Sequence, residues 1–286
     1  MRLPEIESPV QDISRHPCLE PRVPRIAIVG AGFVGSTTAY ALMMSGMASE
    51  IVLIDRDSRR AEGHVNHLRD AEVFSQTTGI FVGDFPDCCS ADVTIITAGV
   101  SHAGQKSRKE GLHDAGAILH GPINDVCLQN PRGIPLIASN PVDVLTYAAW
   151  RWSGLPADRV IGSGTSLDTS RFRGRFAEHY GIASANGHAY VIGKHADSQI
   201  PILSSARVAG FPLAEFSKEV RLPYEESSLT RIACNTRTAG DVIEAKGATY
   251  YGIGAALVRI TRAILRDERA ILTVSSGRPN QCNWVK

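Results

Sequence analysis

The chain is short of most features that mark a specialised class of protein. No apolar run approaches the roughly 18 residues needed to cross a bilayer. The first residues hold no basic segment followed by an uninterrupted apolar core, so no secretory signal is expected. Thirty Lys and Arg face 29 Asp and Glu for a net charge of +1, which leaves no electrostatic case for nucleic acid or an anionic membrane. Six cysteines (Cys18, Cys88, Cys89, Cys127, Cys234 and Cys282) form no C-x-x-C pair and no zinc-like spacing with histidine. Reduced thiols in a cytoplasmic protein without a metal are the expectation. There is no internal repeat and no low-complexity run.

What is present describes a globular protein with ample core material. The 286 residues are 43% hydrophobic and 21% charged, enough for one large domain or two ordinary ones. Residues 1–24 carry prolines at 4, 9, 17, 21 and 24 and read as an irregular arm. From Arg25 the order becomes informative. Arg25-Ile26-Ala27-Ile28-Val29 reads as a buried strand, Gly30-Ala31-Gly32-Phe33-Val34-Gly35 follows it, a helix runs from Ser36 to Met44, and a second apolar strand, Ile51 to Ile54, ends at Asp55.

A G-x-G-x-x-G alone is weak evidence. Between a strand and a helix, with an acid closing the next strand, it is the full dinucleotide fingerprint. Gly30 permits the tight turn, Gly32 admits a pyrophosphate near the backbone and Gly35 brings helix and strand together. Val34 sits between them, and the helix start offers unpaired N–H groups to phosphate. Asp55 suits an unmodified ribose and favours NAD, while Arg56, Arg59 and Arg60 leave room for a 2′-phosphate.

Short strands continue to alternate with helices. Strands are expected at 93–97, 134–138 and 159–162, and helices at 58–75, 111–129 and 142–153, with a kink or break at Gly121-Pro122. The alternation predicts an α/β fold with a Rossmann-type parallel sheet over 25–163. After about Gly164 it gives way to a mixed pattern: a helix at 166–180, a strand at 189–193, an extended stretch at 200–208 and helices at 224–245 and 248–266. This predicts an α+β second domain over 164–275, followed by a tail at 276–286. Ala270 to Ser275 reads as a strand with no partner, leaving an open edge.

Three polar stretches can carry chemistry. Gly193-Lys194-His195-Ala196-Asp197-Ser198 places a histidine, with its near-neutral pKa, in a loop after a strand; a lone histidine is nonetheless more often structural. Gly164 to Arg171 sets Asp168 and Arg171 three apart on one helix face. Asp168 can orient a histidine and Arg171 can grip a carboxylate, or the two can be a dipole-favouring acid and a local ion pair. Ala98 to Arg108 is a polar, glycine-containing loop that could act as a lid or simply be solvated.

Together these stretches resemble the L-lactate/malate dehydrogenase family, and within it the bacterial L-lactate branch. The resemblance rests on Thr97-Ala98-Gly99, Ser139-Asn140-Pro141-Val142-Asp143, Val160 to Thr165 with Leu167-Asp168, and Lys246 to Ile253. It implies hydride transfer between NADH and a small 2-oxo acid. His195 is then the proton donor and acceptor, Asp168 its partner, Arg171 the carboxylate anchor and Arg108 the residue that polarises the carbonyl. Asn140 bonds the reacting oxygen, Thr249 lines the pocket, and Gly99 and Val100 border the cofactor. His102, six residues before Arg108, occupies the position that separates pyruvate from oxaloacetate; a neutral imidazole there favours pyruvate, and a protonated one could accept a second carboxylate.

The resemblance further implies a homo-oligomer, tetrameric in the family, with fructose bisphosphate held near Arg173 and His188. The sequence departs from the family at Lys194 and Ala196, where glutamate and glycine usually flank the histidine, and at Ala115, where asparagine is common. It also stops where the family continues with a hairpin and a long helix. The expectation is exposed apolar surface on the second domain, which leaves an inactive NAD-binding fragment as the alternative to an L-lactate or malate dehydrogenase.

Overall fold

The computed structural model describes residues 23–75, 78–99, 108–195, 198–222, 224–237 and 247–277, with the side chains of 108–111, 226 and 237 excepted. Its centre is a sheet of seven strands in the order β12-β6-β5-β4-β1-β2-β3. The strands are β1 (Arg25–Val29), β2 (Glu50–Ile54), β3 (Gly79–Val82), β4 (Val93–Ile96), β5 (Ile134–Ile137), β6 (Ile161–Gly162) and β12 (Ser275–Ser276). All neighbours run parallel except β12, which is antiparallel to β6. Strand order reverses between β1 and β4, and it is beyond the carboxyl ends of the strands at such a reversal that open α/β sheets take their ligands.

The strands are apolar on both faces because helices cover both, as a parallel sheet requires. Ile26, Ile28, Ile51, Leu53, Val93 and Ile95 point to one side and are fully buried. Over them lie α1 (Phe33–Ser45), α2 (Ser58–Glu72) and α8 (Tyr251–Leu265), through Leu42, Met43, Val65, Leu257 and Ile260. Ala27, Val29, Val52, Ile54, Ile96 and Ile137 face the other way, under α3 (Arg108–Gln129) and α4 (Val142–Ser153).

A separate apolar cluster holds the remaining elements together. Phe172, Phe176 and Tyr180 of α5 (Ser166–Tyr180) pack with Val191, Ala206, Val208, Leu213, Leu229 and Ile232. The short antiparallel strands here are β7 (Gly187–His188), β8 (Val191–Ile192), β9 (Ile200–Pro201), β10 (Arg207–Val208) and β11 (Phe211–Pro212). Of these, β8 supplies Val191 and β10 supplies Val208; Ala206 just precedes β10, and the other three residues come from α6 (Leu213–Glu219) and α7 (Glu226–Arg237). The predicted α/β order, with a mixed second half, is what the structure has.

Three local expectations are corrected. Pro122 does not break α3, which runs from Arg108 to Gln129. Its buried stripe of Ala115, Leu119, Ile123 and Val126 spans the proline, and that burial outweighs a local cost of about 3 kcal/mol. Gly79–Val82, missed as a strand, pairs with β2 at the sheet edge. The segment 270–275 is not a partnerless strand: residues 270–274 lie outside any strand, and Ser275 and Ser276 pair with Gly162 and Ile161. The helix expected over 224–245 is present as α7, and 238–246 lies outside the described residues.

Gly35 lies inside α1, where a Cβ would land on the Gly30 carbonyl and 2.8 Å from Thr97 Oγ1. Gly35→Ala is therefore expected to lower stability by about 1–3 kcal/mol through overpacking, read as a lower thermal midpoint. An unchanged midpoint would show that helix and strand are not in this contact.

Candidate active site

The first half of the site is the glycine turn at the head of β1. Gly30 has φ +108°, a conformation that suits glycine, and its N–H donates to the Ile54 carbonyl at 2.7 Å. Thr97 Oγ1 donates to the Val29 and Gly30 carbonyls at 3.2 and 2.9 Å, locking the turn to the end of β4. Asp55 Oδ2 accepts from Ala31 N at 2.6 Å and Oδ1 from Asp57 N at 2.9 Å. The acid thus sits across the turn from the phosphate-facing backbone.

The turn fits a dinucleotide. Gly32 caps α1 with no side-chain hydrogen bond, so the first N–H groups of the helix are left for an anion. A Cβ on Gly32 or on Gly99 would meet nothing within 4 Å, leaving open space on the ligand side of both. Val34 is half-buried against the core beneath them. Asn140 is exposed at the end of β5, on the same side of the sheet as Gly30 and Gly99.

The second half comes from α5 and the loop after β8 (Val191–Ile192). Asp168, in the first turn of α5, is 2% exposed and accepts from His195 Nδ1 at 2.5 Å. Arg171, one turn on, sets Nη1 3.6 Å from the other Asp168 oxygen. Gln199, with its amide oriented to satisfy its neighbours, donates to both Asp168 oxygens at 3.1 Å. The backbone N–H of His195 donates to Asp143 Oδ2, at the start of α4, at 2.8 Å. One loop is therefore pinned by two carboxylates from two different helices.

The electrostatics follow from this packing. The Asp168 hydrogen bond raises the His195 pKa, burial opposes it, the Asp168 and Asp143 charges add to the rise and Arg171 subtracts. Burial lowers the pKa of Arg171, against the pull of Asp168, and a guanidinium stays charged throughout the working range. With Nδ1 committed to Asp168, Nε2 is the ring nitrogen left to exchange a proton with a ligand. A half-buried guanidinium (16% exposed) beside the ring can hold a carboxylate, and the ring, when protonated, can donate to an adjacent oxygen.

Residues 24–162 match the family model described as lactate/malate dehydrogenase, NAD binding domain, and residues 165–283 match its alpha/beta C-terminal domain. The chain belongs to the lactate/malate dehydrogenase family. The L-lactate dehydrogenase of Geobacillus thermodenitrificans is 46% identical over 254 residues, covering 88% of this chain and 80% of that protein. A probable L-lactate dehydrogenase of Schizosaccharomyces pombe is 44% identical over 252 residues, 88% and 76% of the two chains. The crystal structure of a minor L-lactate dehydrogenase from Enterococcus mundtii superposes with a TM-score of 0.85 at 39% identity, over 90% of this chain and 82% of that one.

Of the residues singled out for this family, the structure brings His195, Asp168 and Arg171 together, and sets Gly30, Gly32, Gly35 and Asp55 around one turn. Thr249 is half-buried just before α8. Arg108 opens α3, with its side chain outside the described residues, as are Val100, His102 and Ala196. Arg173 donates to the Ser184 and Ala185 carbonyls at 3.4 and 3.5 Å, and His188, three residues further along the chain, is exposed. Sequence reading missed Gln199 and Asp143 as site residues. The signal for the first is an amide four residues after His195, at the end of the polar stretch Asp197-Ser198-Gln199 and just before the apolar Ile200. For the second, a first-turn acid in Val142-Asp143 reads as a helix-dipole residue until the fold brings His195 to it.

Removing the negative charge at Asp168 should lower the pH at which the imidazole releases its proton. Asp168→Asn is expected to shift the His195 ring titration, followed by NMR, to lower pH. An unmoved titration would dissociate the two groups.

Proposed function

We propose that the chain is an NAD-dependent L-lactate dehydrogenase, interconverting pyruvate and lactate. The observation that carries this is the buried Asp168 bonded to His195, with Arg171 on the same helix face, in a chain 42–46% identical to proteins named L-lactate dehydrogenase. When bound, the reduced cofactor supplies the hydride for the carbonyl carbon.

The chain's own residues supply the rest. Gly30, Gly32, Val34, Gly35, Gly99, Val100 and Asp55 cradle the dinucleotide. Arg171 takes the substrate carboxylate in its planar fork and so orients the carbonyl. Nε2 of the protonated His195 donates to the carbonyl oxygen as charge develops there, and Asp168 stabilises the imidazolium beforehand. Asn140 donates to the same oxygen, Arg108 polarises it from the loop side, and Thr249 lines the small end of the pocket. In the reverse direction neutral Nε2 accepts the hydroxyl proton. Two protonation states of one ring therefore serve the two directions.

The same reading divides the chain into an arm (1–24), a cofactor domain (25–163), a substrate domain (164–275) and a tail (276–286). It makes the enzyme a cytoplasmic homotetramer in pyruvate fermentation, with Arg173 and His188 receiving fructose bisphosphate. Arg173 is already turned toward the 184–185 carbonyls, close in chain to His188. If sugar phosphate acts there, Arg173→Ala removes activation; an unmutated enzyme indifferent to fructose bisphosphate ends that part of the reading.

A single assay series tests the whole. NADH oxidation should be faster with pyruvate than with oxaloacetate. Because the reducing direction needs His195 protonated, kcat/KM for pyruvate should hold at low pH and fall as pH rises through a midpoint above the ordinary imidazole value of about 6.5. Lactate oxidation should rise over the same interval. Faster oxaloacetate reduction would make the chain a malate dehydrogenase, and NADH binding without turnover would make it an inactive relative.

A further inference from the structure

The catalytic pair is held by more than its own helix and loop. Asp143 stands in the first turn of α4, on the cofactor side of the molecule. Its Oδ2 accepts from the His195 backbone N–H at 2.8 Å. Its Oδ1 accepts a short hydrogen bond from the Ser275 hydroxyl of β12. One half-buried carboxylate thus joins α4, the histidine loop and the last described strand, and both of its oxygens are used.

The strand segment is itself sewn to the other arm of the site. Gly164 lets it approach: a Cβ there would stand 2.7 Å from Ser275 N and 2.8 Å from the Thr273 carbonyl oxygen. Ser166 Oγ donates to that Thr273 carbonyl at 3.1 Å, and the Thr169 and Thr273 hydroxyls pair at 2.8 Å. Ser166 and Thr169 flank Asp168 in the first turn of α5. Residues 273–275 therefore touch the element carrying Asp168 directly and the loop carrying His195 through Asp143.

We propose that Asp143 is a positioning residue for His195, and that the segment 273–275 is the brace that holds it in place. The backbone bond fixes the height and rotation of the histidine loop, while Ser275 fixes the carboxylate that makes it. Thr273, two residues before β12, ties α5 to the same segment, so that the two partners of the pair are set from one support. Such supporting contacts are commonly worth one to two orders of magnitude in activity, since a displacement of about 1 Å at a reacting group costs on the order of a hundredfold. Asp143 also adds its charge to the field on the ring. Among the described residues, the charged groups that face His195 are Asp168 and Arg171 on α5 and Asp143 on α4, with Lys194 beside it in the chain.

The test separates charge from geometry and rests on the dehydrogenase reading only for its kinetic arm. Asp143→Asn keeps an acceptor for the His195 N–H and a donor for Ser275, but removes the charge. The His195 ring titration, followed by NMR without substrate, should move to lower pH, and kcat for pyruvate should fall about tenfold with NADH affinity unchanged. Ser275→Ala keeps the charge and cuts the brace; it should lower kcat several-fold while leaving the ring titration in place. Asp143→Ala should cost about a hundredfold, with partial rescue in Asp143→Asn.

A ring titration in Asp143→Asn that overlays the unmutated one would overturn the proposal. So would kcat within about twofold of the unmutated value in both Asp143→Asn and Ser275→Ala. If Asp143→Asn does not fold, Ser275→Ala decides alone: reduced kcat with unchanged NADH affinity supports the brace, and unchanged kcat rejects it. An unmutated chain that binds NADH without turnover defeats the dehydrogenase reading, and the ring titration then still decides the role of Asp143.

Discussion

The structure depends on one buried ion pair. Asp168 is almost wholly withdrawn from water, at 2% exposure, and a carboxylate in that position is costly unless every oxygen is matched. His195, Arg171 and Gln199 provide the match. Under the function proposed above, the ring that bonds Asp168 is also the group that exchanges a proton with the ligand, so that stability and chemistry would draw on a single contact.

The sheet serves the same end from the other side. Its reversal of strand order between β1 and β4 puts the glycine turn, Thr97 and Asp55 at the carboxyl edge. A site of this kind suits a dinucleotide, which backbone amides and a helix dipole can hold with little demand on side-chain chemistry. The α4 and α5 helices both start at this edge, from the ends of β5 and β6. That shared origin is why Asp143 and Asp168, 25 positions apart in the chain, reach one histidine loop. The glycine turn and the starts of α4 and α5 are thus neighbours by topology.

How much of this can be read without coordinates divides along a physical line. Local patterns were sufficient for β1, the glycine turn, β2 and Asp55, and for α4 and α5, whose expected spans, 142–153 and 166–180, coincide with the observed helices. Apolar periodicity and turn chemistry are properties of short windows, and these elements obey them. A break at Pro122 follows from the local penalty alone, and the buried stripe on both sides of the proline keeps the helix continuous. The pairing of Ser275 with Gly162 needs contact between residues 113 positions apart, which no window contains. Asp143 and Gln199 escaped notice for the same reason, since each looks ordinary until a distant loop arrives beside it. The triad of Asp168, Arg171 and His195 was legible only through the family's ordered motifs, because His195 alone reads as one more structural histidine.

The central claim is that His195, held by Asp168, carries the proton in a reaction whose hydride comes from NADH. It is tested most directly by stopped-flow NADH oxidation with pyruvate in the unmutated chain and in His195→Gln, with NADH binding followed by fluorescence in both. The two proteins should bind NADH with the same affinity, and the rate should be about 10²–10⁴-fold lower in His195→Gln, the usual scale of general acid–base catalysis. Equal rates in the two proteins would contradict the claim.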